Sequence, residues 1–82
     1  MEQYELIWEA AKKRLEKTMP IIPYETWILP LTAINVDNDK LVLHTNNRIS
    51  ANMLNRYVDI IRAAIVEEMP QLTGFEVFVG DK

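Results

Sequence analysis

The sequence has no cysteine and only two glycines among its 82 residues. Without cysteine the chain forms neither disulfides nor thiolate metal sites, a composition that fits the reducing cytoplasm. Two glycines cannot supply the G-x-x-x-x-G-K-[ST] loop of nucleotide-binding proteins. No uninterrupted apolar run reaches the roughly 18 residues of a membrane span, and the acidic start MEQYELIWEA is unlike a secretory signal. We therefore expect a cytoplasmic protein without membrane association.

The composition is that of an ordinary globular chain. Apolar residues make up 49% and charged residues 26% of the sequence. The length allows one core, so we expect a single domain over residues 1–82. The formal net charge is −3, which gives no overall field favouring nucleic acid. Binding to nucleic acid would therefore need a local basic patch.

Apolar spacing predicts a first helix over residues 2–19. Its apolar stripe consists of Tyr4, Ile7, Trp8, Ala11, Leu15 and Met19, at spacings of three and four. Pro20 ends this helix. Pro23 suits the first turn of a short second helix over residues 23–29, which Pro30 closes. The proline-rich stretch between the first helix and the strands is thus predicted to form the corner of the fold.

The remaining pattern predicts a sheet and a long third helix. Residues 31–45 are predicted to form a β-hairpin, because Val-Asp-Asn-Asp-Lys is a strong turn signal. Asn46 and Asn47 are suitable N-caps for a broadly buried helix over residues 48–69. Phe75, Val77 and Val79 alternate with other side chains in a strand over residues 74–79. The predicted fold is α+β, in the order α-α-β-β-α-β, with a three-stranded sheet packed against helices.

Catalytic motifs are missing from the sequence. His44 is the only histidine; it falls on a predicted strand without a nucleophile motif nearby, and we expect it at the surface. Histidine and acidic residues show no metal-ligand spacing. The sequence therefore predicts no enzymatic activity, no metal and no cofactor.

Several motifs follow one another in the order of a known family. Ile7-Trp8, Leu15 and Pro20 precede Tyr24-x-x-Trp27-Ile28-x-Pro30-Leu31, and Leu41-Val42-Leu43, Asn47, Arg48, Tyr57 and Ile61 follow. This order resembles the N-terminal domain (domain I) of the bacterial chromosomal replication initiator DnaA. The resemblance covers about residues 6–79, and its most specific part is the aromatic-x-x-Trp-Ile-x-Pro-Leu motif. The segment between Arg48 and Tyr57 is one residue shorter than in the family.

The resemblance implies a K-homology-like fold and an adaptor function in replication initiation. Such domains are not enzymes. Their expected partners are other DnaA copies, the replicative helicase of the DnaB type and DnaA-binding regulators at the origin. Weak binding of single-stranded DNA is known for some members.

The resemblance also implies which residues contact partners. Spacing alone favours a core position for Trp8, whereas the family position contributes to self-association. We expect a half-exposed Trp8, with Leu6 beside it, to mediate self-association. For the helicase or a regulator, the expected contacts are Pro23, Glu25 and Ile49. Pro23 stands where the family has an acidic residue, and Glu25 is the nearest acid.

Two alternatives to the adaptor function remain at this point. The first is a small K-homology-like module that binds single-stranded nucleic acid through Arg48, Arg56 and Arg62. The G-x-x-G loop that clamps the nucleic-acid backbone in K-homology domains is missing from the sequence. The second is a stand-alone regulator that mimics domain I and competes for its partners.

Overall fold

A mixed three-stranded sheet carries the helices of this protein. The structure is a computed structural model and describes residues 2–80. The strands β1 (Thr32–Asp37), β2 (Lys40–Thr45) and β3 (Gly74–Val79) lie in the order β1-β2-β3. β1 is antiparallel to β2, and β3 is parallel to β2. The predicted α+β class with a three-stranded sheet is confirmed, while the K-homology likeness stays a prediction.

The first helix, α1 (Gln3–Thr18), closely matches the predicted range of 2–19. At its start the backbone N–H of Glu2 donates to the Glu5 carboxylate over 2.8 Å. At its end Met19 has extended backbone angles and Pro20 follows, so the helix cannot continue. Its buried residues belong to the core, and the helix packs against β1 and against the helical residues 58–68.

The corner begins two residues earlier than the predicted second helix, 23–29. A short helix α2 (Ile21–Pro23) runs directly into a π-helical turn, Tyr24–Ile28. The wide turn is closed by the backbone N–H of Leu29, which donates to the carbonyl of Tyr24 over 2.9 Å. π-Helical turns are rare and occur frequently at functional sites. Residues 21–30 are called the corner segment below.

The hairpin confirms the prediction for residues 31–45. Asn38 lies in its turn with φ of 57°, a left-handed conformation that asparagine tolerates better than most residues. The register shifts between Ala33 and Asn35, where one extra residue forms a bulge in β1. Leu41 and Leu43 of β2 are fully buried, so the face of the sheet that carries them is the one that packs in the core.

The predicted continuous helix over residues 48–69 is wrong. The chain forms α3 (Arg48–Met53), a 3-10 turn (Leu54–Tyr57) and α4 (Val58–Glu68). The break falls at Tyr57, where φ is −122° and ψ is 15°. The packing neighbours change at this point, because α3 contacts the corner segment and β2, whereas α4 contacts α1; both contact β3. The predicted broad burial is also wrong for Ile49 and Ile60, which are exposed.

His44 is buried, which contradicts its predicted surface position. Its Nε2 atom lies 2.6 Å from the carbonyl oxygen of Gly80. The ring stacks on Phe78 of the neighbouring strand, with centroids 5.8 Å apart. Phe78 and Gly80, more than 30 positions further along the chain, therefore cover His44 and hold its ring in place.

Candidate protein-interaction surface

Exposed aliphatic side chains concentrate at the corner segment and the adjacent helix α3. Of the eight large hydrophobic residues exposed within residues 2–80, four lie there: Ile21, Ile22, Leu29 and Ile49. The two elements are neighbours, since α3 contacts the π-helical turn. We call these four residues the corner surface. Such a concentration on a small domain is typical of a site that binds another protein.

The corner segment presents its two ends to solvent and anchors its middle in the core. Tyr24 and Ile28 are buried, while Ile22 before them is 68% exposed and Leu29 after them is 50% exposed. Glu25 is exposed between these ends and makes no ion pair within the described residues. Pro23 is half-buried. The segment is therefore held rigidly while its aliphatic and acidic groups remain accessible.

Ile49 is held at the start of α3 by an N-terminal cap. The side-chain oxygen of Asn47 accepts from the backbone N–H of Ile49 over 2.8 Å and from that of Ser50 over 3.3 Å. Asn47 is thus the cap, one of the two candidates, Asn46 and Asn47, that the sequence offers. Ile49 itself is 65% exposed, so it is not a core residue and is available to a partner.

Trp8 is not a surface residue, and the expectation of half-exposure is wrong. Only 2% of Trp8 is exposed, and its indole N–H donates to the carbonyl of Leu31 over 3.0 Å. The physical reason is its position well inside the apolar stripe of α1, where the segment preceding β1 covers it. Leu6, by contrast, is 55% exposed on the same helix. Of the two expected self-association residues, only Leu6 is accessible.

The three candidate arginines do not line a common groove. Arg62 lines a groove beside β3 together with Lys40, but Arg48 and Arg56 do not. Arg48 and Arg56 are exposed elsewhere on α3 and the 3-10 turn. Arg62 also forms an ion pair with Asp59 one turn earlier on α4. The cation that the structure places near Arg62 is thus Lys40, which sequence reasoning missed.

Neither a metal site nor a membrane span is found within residues 2–80. Histidine, aspartate and glutamate side chains form no group of three that could hold a metal ion there. The helices in that range lack the length and apolar character needed to cross a bilayer.

Sequence reasoning also missed Leu29. The expected partner contacts in the corner are Pro23 and Glu25, whereas Leu29 at the other end of the π-helical turn is also exposed. The signal available was its position directly before Pro30, at the end of a helix. Because periodicity does not anticipate a wide turn, the direction of its side chain could not be read from the sequence.

Comparison with protein families gives a match over most of the chain. The model of the family described as the DnaA N-terminal domain matches residues 5–67. The matched range, 5–67, includes most of α1, the corner segment, the hairpin, α3 and nearly all of α4. It therefore contains the whole corner surface and ends before β3.

Proposed function

This chain belongs to the DnaA N-terminal domain family, and on that premise we propose that it is a non-catalytic adaptor that binds the replicative helicase. The family gives the chain a role in the initiation of DNA replication. The finer proposal is that the corner surface docks a helicase of the DnaB type. DnaA-binding regulators use the same surface and compete for it, in the cytoplasm.

The observation that supports this proposal is the exposure of Ile21, Ile22, Leu29 and Ile49. The first three flank the π-helical turn, and α3, which carries Ile49, contacts that turn. Exposed aliphatic groups on a rigid support lose little conformational entropy when a partner covers them. A few such residues supply most of the binding energy in small interfaces. The corner surface combines these properties with a π-helical turn that the core holds in place.

Glu25 supplies the acidic contact of this surface. It is exposed within the π-helical turn, while Pro23 occupies the position at which the family has an acid. A carboxylate at the rim of an apolar contact mainly governs partner choice and the association rate. We therefore assign the affinity to the aliphatic residues and the specificity to Glu25.

Binding of the variants to the helicase tests the proposal. We expect Ile22→Ser and Ile49→Ser each to weaken binding to the DnaB-type helicase of the same organism by about 2 kcal/mol, or about thirtyfold. Ile60→Ser is the matched control, because Ile60 is also exposed but lies on α4, outside the corner surface. Calorimetric titration measures the affinity, and circular dichroism checks that each variant is folded. Equal binding by all three variants would refute the assignment.

Self-association is the second part of the proposed function. Leu6 is accessible on α1, and Ala10 and Lys13 follow at spacings of four and three. A second copy of the chain would cover this face of α1. Trp8 acts on this contact only indirectly, by holding α1 in place against the core.

A further inference from the structure

A groove of about 370 Å³ runs between β3 and the helical segments α3 and α4. Its lining includes the apolar residues Leu54 and Phe75 and the polar residues Asn52 and Asn55. The groove shares no residue with the corner surface. We call it the β3 groove.

Two cations converge at one end of the β3 groove. A Cβ atom at position 74 would lie 3.6 Å from Cδ of Arg62 and 3.8 Å from Nζ of Lys40. Lys40 is held there because Nζ donates to the hydroxyl of Thr73 over 3.0 Å. Within residues 2–80 no carboxylate lines the groove, although Asp59, which is not a lining residue, forms an ion pair with Arg62. Lys40 forms no ion pair within residues 2–80, so it supplies an unneutralised positive charge to the groove of a chain whose net charge is −3.

One edge of β3 is open along the same groove. β3 pairs with β2 and is the last strand in the sheet order β1-β2-β3. Its second edge therefore has no neighbouring strand within residues 2–80. An edge strand presents backbone N–H and C=O groups that an extended peptide can bind by adding a further strand.

We propose that the β3 groove binds an extended acidic peptide segment of a partner protein. The peptide backbone pairs with the open edge of β3, and a peptide carboxylate binds between Lys40 and Arg62. Apolar peptide side chains on one face of the added strand cover Phe75 and Val77, which line the groove and are only partly buried. Charge complementarity selects this occupant, because Lys40 and Arg62 line the groove and no acidic residue within residues 2–80 does. This site goes beyond the proposed helicase contact and does not depend on it.

Two labelled peptides test the proposal with the 82-residue chain. The first is a fluorescein-labelled decapeptide of alternating valine and glutamate, and the second has glutamine in place of glutamate. We expect saturable binding of the glutamate peptide, measured by fluorescence anisotropy at low salt, and binding at least about tenfold weaker for the glutamine peptide. In NMR spectra the amide signals of residues 75–79 should shift on binding. No binding of the glutamate peptide, or equal affinity for both peptides, would overturn the proposal.

Matched variants separate the groove from general electrostatics. Lys40→Glu and Arg62→Glu should each weaken binding of the glutamate peptide by about tenfold. Arg56→Glu changes the net charge by the same amount outside the groove and should leave the affinity nearly unchanged. At position 74 there is room for a Cβ atom. In Gly74→Glu the new carboxylate should therefore occupy the site and prevent binding of the glutamate peptide. If Arg56→Glu weakens binding of the glutamate peptide as much as Lys40→Glu does, the proposed site is wrong.

Single-stranded DNA is the other anionic occupant that the experiment must distinguish. A labelled oligo(dT) of ten nucleotides is titrated under the same conditions, with the same variants. One outcome would be that the oligonucleotide shifts the amide signals of residues 75–79, that Lys40→Glu weakens its binding, and that the glutamate peptide does not bind. The groove would then be a nucleic-acid site, and the peptide proposal would be wrong.

Discussion

The indole nitrogen of Trp8 donates a hydrogen bond to the carbonyl oxygen of Leu31 over 3.0 Å. This bond joins the first helix to the residue directly before β1, across 23 positions of the chain. Both side chains are almost fully buried. The carbonyl of Leu31 has no access to water there, so the bond satisfies a group that would otherwise be costly to bury. Trp8 therefore fixes the position of α1 relative to the sheet.

Replacement of Trp8 should destabilise the fold rather than remove a surface contact. We expect Trp8→Ala to lower the free energy of unfolding by about 3–5 kcal/mol, because it empties a large buried volume. Trp8→Phe retains a ring but leaves the Leu31 carbonyl unpaired, which costs about 1–3 kcal/mol. Urea denaturation followed by circular dichroism measures both. A Trp8→Ala variant that unfolds at the wild-type urea concentration would contradict the buried position.

Leu6 should affect self-association without affecting stability. We expect Leu6→Ser to weaken self-association of the chain, while the free energy of unfolding changes by about 0.5 kcal/mol or less, because the side chain is exposed. Sedimentation equilibrium over a concentration series gives the association constant. Val36→Ser on β1 is the matched control, since Val36 is also an exposed aliphatic residue. A wild-type chain that is monomeric at every concentration would refute the role of Leu6.

Local signals explain which elements could be predicted from the sequence. Pro20 ends α1 within a residue of the predicted position, because proline stops a helix whatever surrounds it. The asparagine and aspartate residues at the hairpin turn determine the hairpin in the same way. β3 has the predicted range of 74–79, because its alternation is short and bounded. In each case the decisive interaction lies within a few residues.

Contacts between distant residues explain what could not be predicted. The break between α3 and α4 contains neither proline nor glycine, and the packing neighbours change across it. Trp8 is buried by the segment around Leu31, whose position the spacing of α1 does not reveal. Lys40 and Arg62 are 22 positions apart, and they meet only because β3 lies parallel to β2 beside α4. Apolar periodicity also cannot tell that Ile49 is exposed, because it treats α3 and α4 as one helix.

The cap at Asn47 should control both stability and the position of Ile49. Asn47→Ala removes the acceptor for two backbone N–H groups, and we expect a loss of about 1 kcal/mol in the free energy of unfolding. Asn47→Asp keeps the acceptor and should retain most of the stability. Asn46→Ala is the control, since the Asn46 side chain makes no hydrogen bond within residues 2–80.

The same variants link the cap to helicase binding. If α3 frays without its cap, Ile49 is less well ordered and Asn47→Ala should weaken helicase binding more than Asn46→Ala does. Calorimetric titration with the helicase measures this difference. Wild-type affinity in a clearly destabilised Asn47→Ala variant would show that Ile49 does not need α3 to be ordered.

Ionisation of the Tyr24 hydroxyl should lower the free energy of unfolding in alkaline solution. Burial raises the pKa of the Tyr24 hydroxyl, and the carboxylates of Glu16 and Glu9 on α1 raise that pKa further. A raised pKa in the folded state means that the unfolded chain loses this proton first. The resulting stability is fully present below the tyrosine pKa of the unfolded chain, about 10. It is lost as the pH rises from there through the higher pKa of the folded protein.

Replacement of Tyr24 by phenylalanine isolates this effect. Tyr24→Phe removes the titrating hydroxyl and keeps the ring that packs in the core. The free energy of unfolding, measured by urea denaturation at several values between about pH 8 and 11, should therefore fall less steeply in Tyr24→Phe than in the wild type. Lysine residues also titrate in this range, but they contribute equally to the pH dependence of the free energy of unfolding in both proteins, so their contribution cancels in the comparison. Parallel curves for the two proteins would show that the Tyr24 hydroxyl ionises equally well in the folded and unfolded states.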